Sequence, residues 1–151
     1  MSVSASPSIS PSVSPSSGYE LYTRGDYADL PADDTNLENS YSAQDYLDVN
    51  EDDGTRVGQT ATSQHAIHEF KDFVGDETAV TLLWNGQSTQ APSVSTVYLQ
   101  IYNQNTTEWD AVDNDSTTAA DTDFDLTGAI ADLTDYKSDG MISCRVYQEM
   151  T

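Results

Sequence analysis

Basic residues are almost missing from this chain. Five Lys and Arg stand against 26 Asp and Glu, a net charge of −21 at pH 7. A surface of that sign repels phosphate backbones and anionic lipid, which excludes nucleic acid and membrane surfaces as partners. Cysteine is scarcer still. Cys144 stands alone, so no intrachain disulfide exists. Its setting, Ile142-Ser143-Cys144-Arg145-Val146, alternates and marks it as a small core residue. No apolar run of about 18 residues occurs, so membrane insertion is not expected. The N-terminus also lacks the basic region and apolar core of a signal peptide. An extracellular location, or one on a cell or virion surface, then implies a signal already removed, with Met1 not native, or another export route.

Catalytic patterns are missing too. Both histidines lie in His65-Ala66-Ile67-His68-Glu69, and this spacing fits neither HExxH nor HxxEH. On a strand, residues 65 and 68 point to opposite faces and cannot share a metal, so both are expected as surface or half-buried histidines. No serine sits in a Gly-x-Ser-x-Gly elbow, and glycine, at eight residues, is too sparse for a phosphate cradle. Acids are plentiful, but nothing marks any pair as held at a working separation. The chain is not expected to be an enzyme.

What is present begins at residue 2. Ser occupies every even position from 2 to 16, while Val3, Ala5, Pro7, Ile9, Pro11, Val13 and Pro15 fill the odd ones. On an extended chain this sorts hydroxyls to one face and apolar groups to the other. Residues of one parity also direct their N–H groups to one edge, so the prolines strip donors from a single edge. Such an arm is suited to adding to an exposed sheet edge through its Ser backbone, with the odd residues in an apolar groove. A Ser/Pro tract also reads as a solvated, often O-glycosylated spacer. Residues 1–18 therefore form an arm or linker, and 19–151 an acidic domain.

Within that domain helical periodicity is nearly absent. Val80, Leu82 and Trp84 share a face before the turn signal Asn85-Gly86. Val97, Leu99 and Ile101 alternate with polar-tipped residues, as do Ile142, Cys144 and Val146. Shorter strands are predicted at 46–49, 56–61, 66–73, 108–112 and 124–127. Residues 19–45 read as loops, with short helical turns expected near 37–41 and 130–133. The fold class is all-β: an antiparallel two-sheet sandwich of jelly-roll type with an extended N-terminal arm.

The stretches VTLLWNGQS, TVYLQIYNQNTTEWDAVD and DFDLTGAIADLTDYKSDGMISCRVYQ resemble jelly-roll modules of the galactose-binding-like or carbohydrate-binding-module kind. The SPSxSPS leader is similar to linkers between β-sandwich modules in repeat-bearing surface and virion-associated structural proteins. The resemblance implies a sandwich used for sugar binding, adhesion or passive construction.

Several smaller features compete as sites. Asp48, Asn50 and Asp52 alternate, with Asp53 and Gly54 following, like the opening of a calcium loop. An EF-hand would need Gly and an acid where Asp53 and Gln59 stand, so only a sandwich-type calcium site remains. Asp113, Asp115, Asp121 and Asp123 form a second, weaker set. Calcium is the only cofactor candidate. Arg24-Gly25-Asp26 spells an integrin-recognised tripeptide, for which an ordinary turn is the simpler account. Asn105 and Asn114 stand in glycosylation sequons. Tyr98, Tyr102 and Tyr147 are placed outward, as a platform for sugars or a neighbouring subunit, or as a second layer packed against a loop.

The expectation is a structural subunit of an extracellular filament or surface assembly, a homopolymer joined head-to-tail by the arm of one copy on the next. The alternative is a carbohydrate-binding or adhesion module of a larger surface protein, partnered by glycans, with the Ser/Pro tract as spacer.

Overall fold

The computed structural model describes residues 2–11, 20–51 and 53–150, the first of these through its backbone. Among them are ten strands and one helix, in the order β1 (Ser2–Pro11), β2 (Glu20–Tyr27), β3 (Asn39–Ser40), α1 (Ala43–Val49), β4 (Val57–Thr60), β5 (His65–Phe73), β6 (Val80–Ser88), β7 (Val97–Asn103), β8 (Glu108–Asp115), β9 (Phe124–Ile130) and β10 (Met141–Gln148). They make an antiparallel two-sheet sandwich, compatible with a jelly roll. One sheet runs β4-β1-β6-β9 and the other β3-β2-β5-β10-β7-β8.

The core lies between the sheets. From β6 it takes Val80, Leu82 and Trp84, and from β9 Phe124 and Leu126. The other sheet supplies Phe70, Leu99, Ile101, Ile142, Cys144 and Val146. Each set keeps the period of two that puts alternate residues on one face. Cys144 is buried here, and burial pushes its thiol well above the ordinary range.

Five local expectations are corrected. Residues 46–49 belong to α1 and not to a strand. Ser42 Oγ accepts from Asp45 N at 3.1 Å while Asp45 Oδ2 accepts from Ser42 N at 2.9 Å, a capping box that starts a helix. The helical turn expected at 37–41 is instead extended chain ending in β3, and the helix begins just after it. Asn85-Gly86 makes no turn. Trp84, Gly86 and Ser88 continue one buried alternation, and β6 runs through all three. Residues 19–45 contain β2, hidden from periodicity because Tyr22 and Thr23 are both buried. The later turn forms at 133–137, where Leu133 O accepts from the amides of Tyr136 and Lys137, three residues beyond its expected start.

The sheets meet closely where β8 turns toward β9. A Cβ on Gly128 would overlap the Val112 side chain. Gly128→Ala is therefore expected to destabilise the fold by about 1–3 kcal/mol in urea unfolding. Combining it with Val112→Ala should give much less than the sum of the two losses, because the second change makes room for the first.

Candidate functional site

The arm pairs with its own body. Val3 to Pro11 run opposite Ser88 to Val80 of β6, and Ser2 to Ala5 run opposite Thr60 to Val57 of β4. The expected mode was addition to an outer edge; the observed one is insertion between two strands. The reason is topological: β4 and β6 do not pair with each other but flank a gap one strand wide.

The proline positions fit this slot. Pro7 and Pro11 lie in register with Trp84 and Val80, yet β6 needs donors from β1 along its length. Proline has none, so the β6 ladder draws on the Ser amides, and the odd residues face the β4 side. There Val3 and Ala5, which keep their N–H groups, meet β4. Pairing with β4 stops at Ala5, just before the first proline. Pro7, Ile9 and Pro11 stand opposite Trp84, Leu82 and Val80, all buried positions of β6. Val13 and Pro15 lie outside the described residues. None of β1, β4 or β6 contains an ionisable residue, a neutral ladder within a chain of net −21.

The remaining strand edges are guarded. On β9 the Thr127 amide donates to Asp113 Oδ2 of β8 at 2.9 Å, and Gly128 lies against Val112. Strand β8 carries Glu108, Asp110, Asp113 and Asp115 along the opposite sheet's edge, and β3 and β4 are short. Charge and brevity are the usual defences against edge-to-edge pairing.

A second built region lies on the outer face of the six-stranded sheet, beneath residues 28–38. Leu30 and Leu37 pack there with Ile67, Tyr147, Tyr27 and Tyr98. Polar groups pin the crossing: Arg145 Nη1 donates to Pro31 O at 2.7 Å, Ser143 Oγ to Asp34 Oδ2 at 2.7 Å, and Lys71 Nζ to Asn36 Oδ1 at 2.9 Å. Arg145 is 4 % exposed, with its guanidinium 4.3 Å from the Trp109 ring centre and its Nε donating to Gln100 Oε1 at 2.8 Å. Burial lowers its pKa to about 10. Its cross-strand partner Glu69 is 1 % exposed and pushed up to about 8 by burial, against the pull of Lys71, whose Nζ is 3.7 Å away. Asp72 on the other face is pushed up to about 7 by burial, although Tyr22 Oη donates to it at 2.9 Å. Beside this seam is a cleft of 210 Å³ lined in part by Asp34, Lys71, Gln104 and Ser143. All four of these make hydrogen bonds within the protein, so the region serves to hold the crossing segment down. Sequence reasoning missed Glu69, Arg145 and Asp72. Their burial depends on register and on a covering loop, and neither has a local signal.

The other sequence-derived sites are dispersed or covered. Tyr102 and Tyr147 are 5 % and 8 % exposed, and Tyr147 stacks on Tyr98 with ring centres 5.1 Å apart. The three tyrosines therefore make no exposed platform; Tyr98 and Tyr147 form the second layer under a loop. Asp48 accepts from Gln44, Asn50 caps α1, and Asp53 accepts from the Thr55 amide; Asp52 lies outside the described residues. Asp113 and Asp115 accept from amides nearby and Asp123 pairs with Arg56 at 2.6 Å, while Asp121 is an exposed loop residue. Among the described residues no three metal-capable side chains converge. Arg24-Gly25-Asp26 lies inside β2, not in a turn. His68 is not a surface residue. It is fully buried, with Nδ1 2.6 Å from Tyr41 Oη. His65, on the opposite face, lies 3.1 Å from Tyr27 O through Nδ1. Asn105 and Asn114 are both exposed, at the two ends of the β8 edge.

Residues 18–151 match the model of the family AF_1625_C, described as an uncharacterized protein, C-terminal domain. The chain belongs to this family. Comparison with curated proteins and with solved structures finds no match. The family match leaves β1 outside, although β1 lies between two strands that are inside it. The compositional boundary at residue 18 is thus a boundary in the family match and not in the sheet.

Proposed function

We propose that this protein is a structural subunit of an extracellular filament or surface assembly, joined head-to-tail through its N-terminal arm. One observation carries the reading: the arm behaves as a strand with a defined slot, held by backbone pairing along ten residues and by no charge. Whatever presents the same strand to the same slot is accepted equally well, and a second copy presents it. Ten residues of the arm fill the slot, and the eight between β1 and β2 can extend to about 26 Å, which lets two bodies sit side by side. A head-to-tail contact that does not close propagates as a fibre. Repulsion between bodies of −21 opposes it, and at physiological salt this is screened beyond about 8 Å. Calcium or other divalent ions would add to that screening.

The reading as a glycan-binding module has lost the aromatic platform it relied on, since Tyr102 and Tyr147 are covered. Negative-stain microscopy of the concentrated full chain, across salt and calcium, tests the proposal. Filaments are the expected result. Monodisperse globules under every condition would sink it.

A further inference from the structure

The slot is already filled in the single chain, and this sets how any assembly through it must proceed. We infer that copies join by strand exchange and not by strand addition: each chain's own β1 is a plug that must leave before a neighbour's β1 can enter. The inference rests on the filament reading and concerns the regulation of the same slot. Three observations lead to it. First, β1 occupies an interior position, paired with β6 from Val3 to Pro11 and with β4 from Ser2 to Ala5, so no vacant edge remains between those strands. Second, the other edges are closed by Asp113 on Thr127, by the acids of β8, or by shortness. An incoming neutral strand meets acids along β8 and the Asp113 carboxylate on β9, the two long edges among the described residues. Third, β1 is joined to β6 and β4 by backbone pairing with no ionisable residue in any of the three strands, so an identical strand from another copy matches the slot residue for residue.

Exchange has a distinct energetic character. The incoming strand makes the same backbone pairs that the departing one loses, so the ladder contributes little net free energy. The barrier is the release of β1, because its pairs break before their replacements form. A chain folded with its plug in place is therefore stored as a monomer, and assembly should be slow, concentration-dependent and accelerated by conditions that loosen β1 alone. The neutral ladder keeps salt from acting on the slot itself; salt acts on the repulsion between bodies.

A covalent lock tests this in the full chain. Ser8 and Leu83 are register partners, as are Ser10 and Thr81. Opposed residues in an antiparallel pair lie close enough for a disulfide, and buried Cys144 does not compete. Ser8→Cys with Leu83→Cys, and separately Ser10→Cys with Thr81→Cys, are oxidised in dilute solution, then concentrated and assayed by sedimentation. The expected result is an intrachain disulfide, loss of sedimentable material, and recovery on reduction. A locked chain that assembles as fast as the wild type overturns the exchange mechanism while leaving the filament reading intact. Failure of both pairs to form the intrachain bond overturns it as well, since the plug would then be absent. If the wild type itself never assembles, the filament reading falls and takes the exchange with it.

Discussion

Removing residues 1–17 is expected to leave a protein that melts far below the full chain, or that aggregates on purification. Without β1, the facing edges of β4 and β6 lose their partners along Val57–Thr60 and Val80–Ser88. On the order of ten backbone hydrogen bonds are lost, each worth about 1 kcal/mol net. The ordering entropy of the arm offsets part of this. A remaining deficit of roughly 5 kcal/mol would be a large share of a domain's stability of about 5–15 kcal/mol. It would lower Tm by about 15 °C at this length. The buried side of β6, with Leu82 and Trp84, would also border an open gap. A synthetic peptide of residues 2–16, added in excess, should restore much of the lost Tm, as any ligand of the folded state does. A truncated chain that melts with the full one would mean that the arm is only a spacer, as the module reading requires.

Stability should fall as pH rises from about 4.5 to about 8. Burial raises Glu69 from 4.5 to about 8 and Asp72 from 3.8 to about 7. The folded chain therefore holds protons that the unfolded chain gives up in this window. Stability from a raised pKa is complete below the unfolded value and is lost as pH climbs through the folded one. Asp33, Asp53, Asp115 and Asp132 carry lowered pKa values through hydrogen bonds with nearby threonines, and their contribution disappears below about pH 4. The optimum thus lies near pH 4.5–5. General repulsion among 26 acids slopes the same way, so Glu69→Gln separates the two. Gln keeps the shape of the neutral acid and cannot ionise. It should stabilise the protein by up to about 4 kcal/mol at pH 8.5 and change it by less than about 0.5 kcal/mol at pH 4.5. Urea unfolding of both proteins across pH gives the slopes; parallel lines would show that Glu69 ionises freely in the fold.

These two effects come from features of very different visibility. The arm announces itself in the alternation of Ser with Val3, Ala5, Pro7 and Ile9, and β6, β7 and β10 show as apolar residues at alternate positions. Hydrophobic period is a local property, so an all-β sandwich with a neutral N-terminal strand could be read directly from residue order. The destination of that strand could not. Its ladder depends on β4 and β6 standing one strand apart, and they are brought there by elements far along the chain. The same limit applies on the outer face of the other sheet. Period two assigns Tyr98, Arg145 and Tyr147 to one side, but whether that side meets water is decided by residues 28–38 folding across it. Glu69 becomes a raised acid, and Arg145 a cation held by a ring and two carbonyl oxygens, only because that distant segment excludes solvent. Which residues share a face is set by neighbours in sequence, whereas which face is covered is set by long-range packing, and burial follows the second.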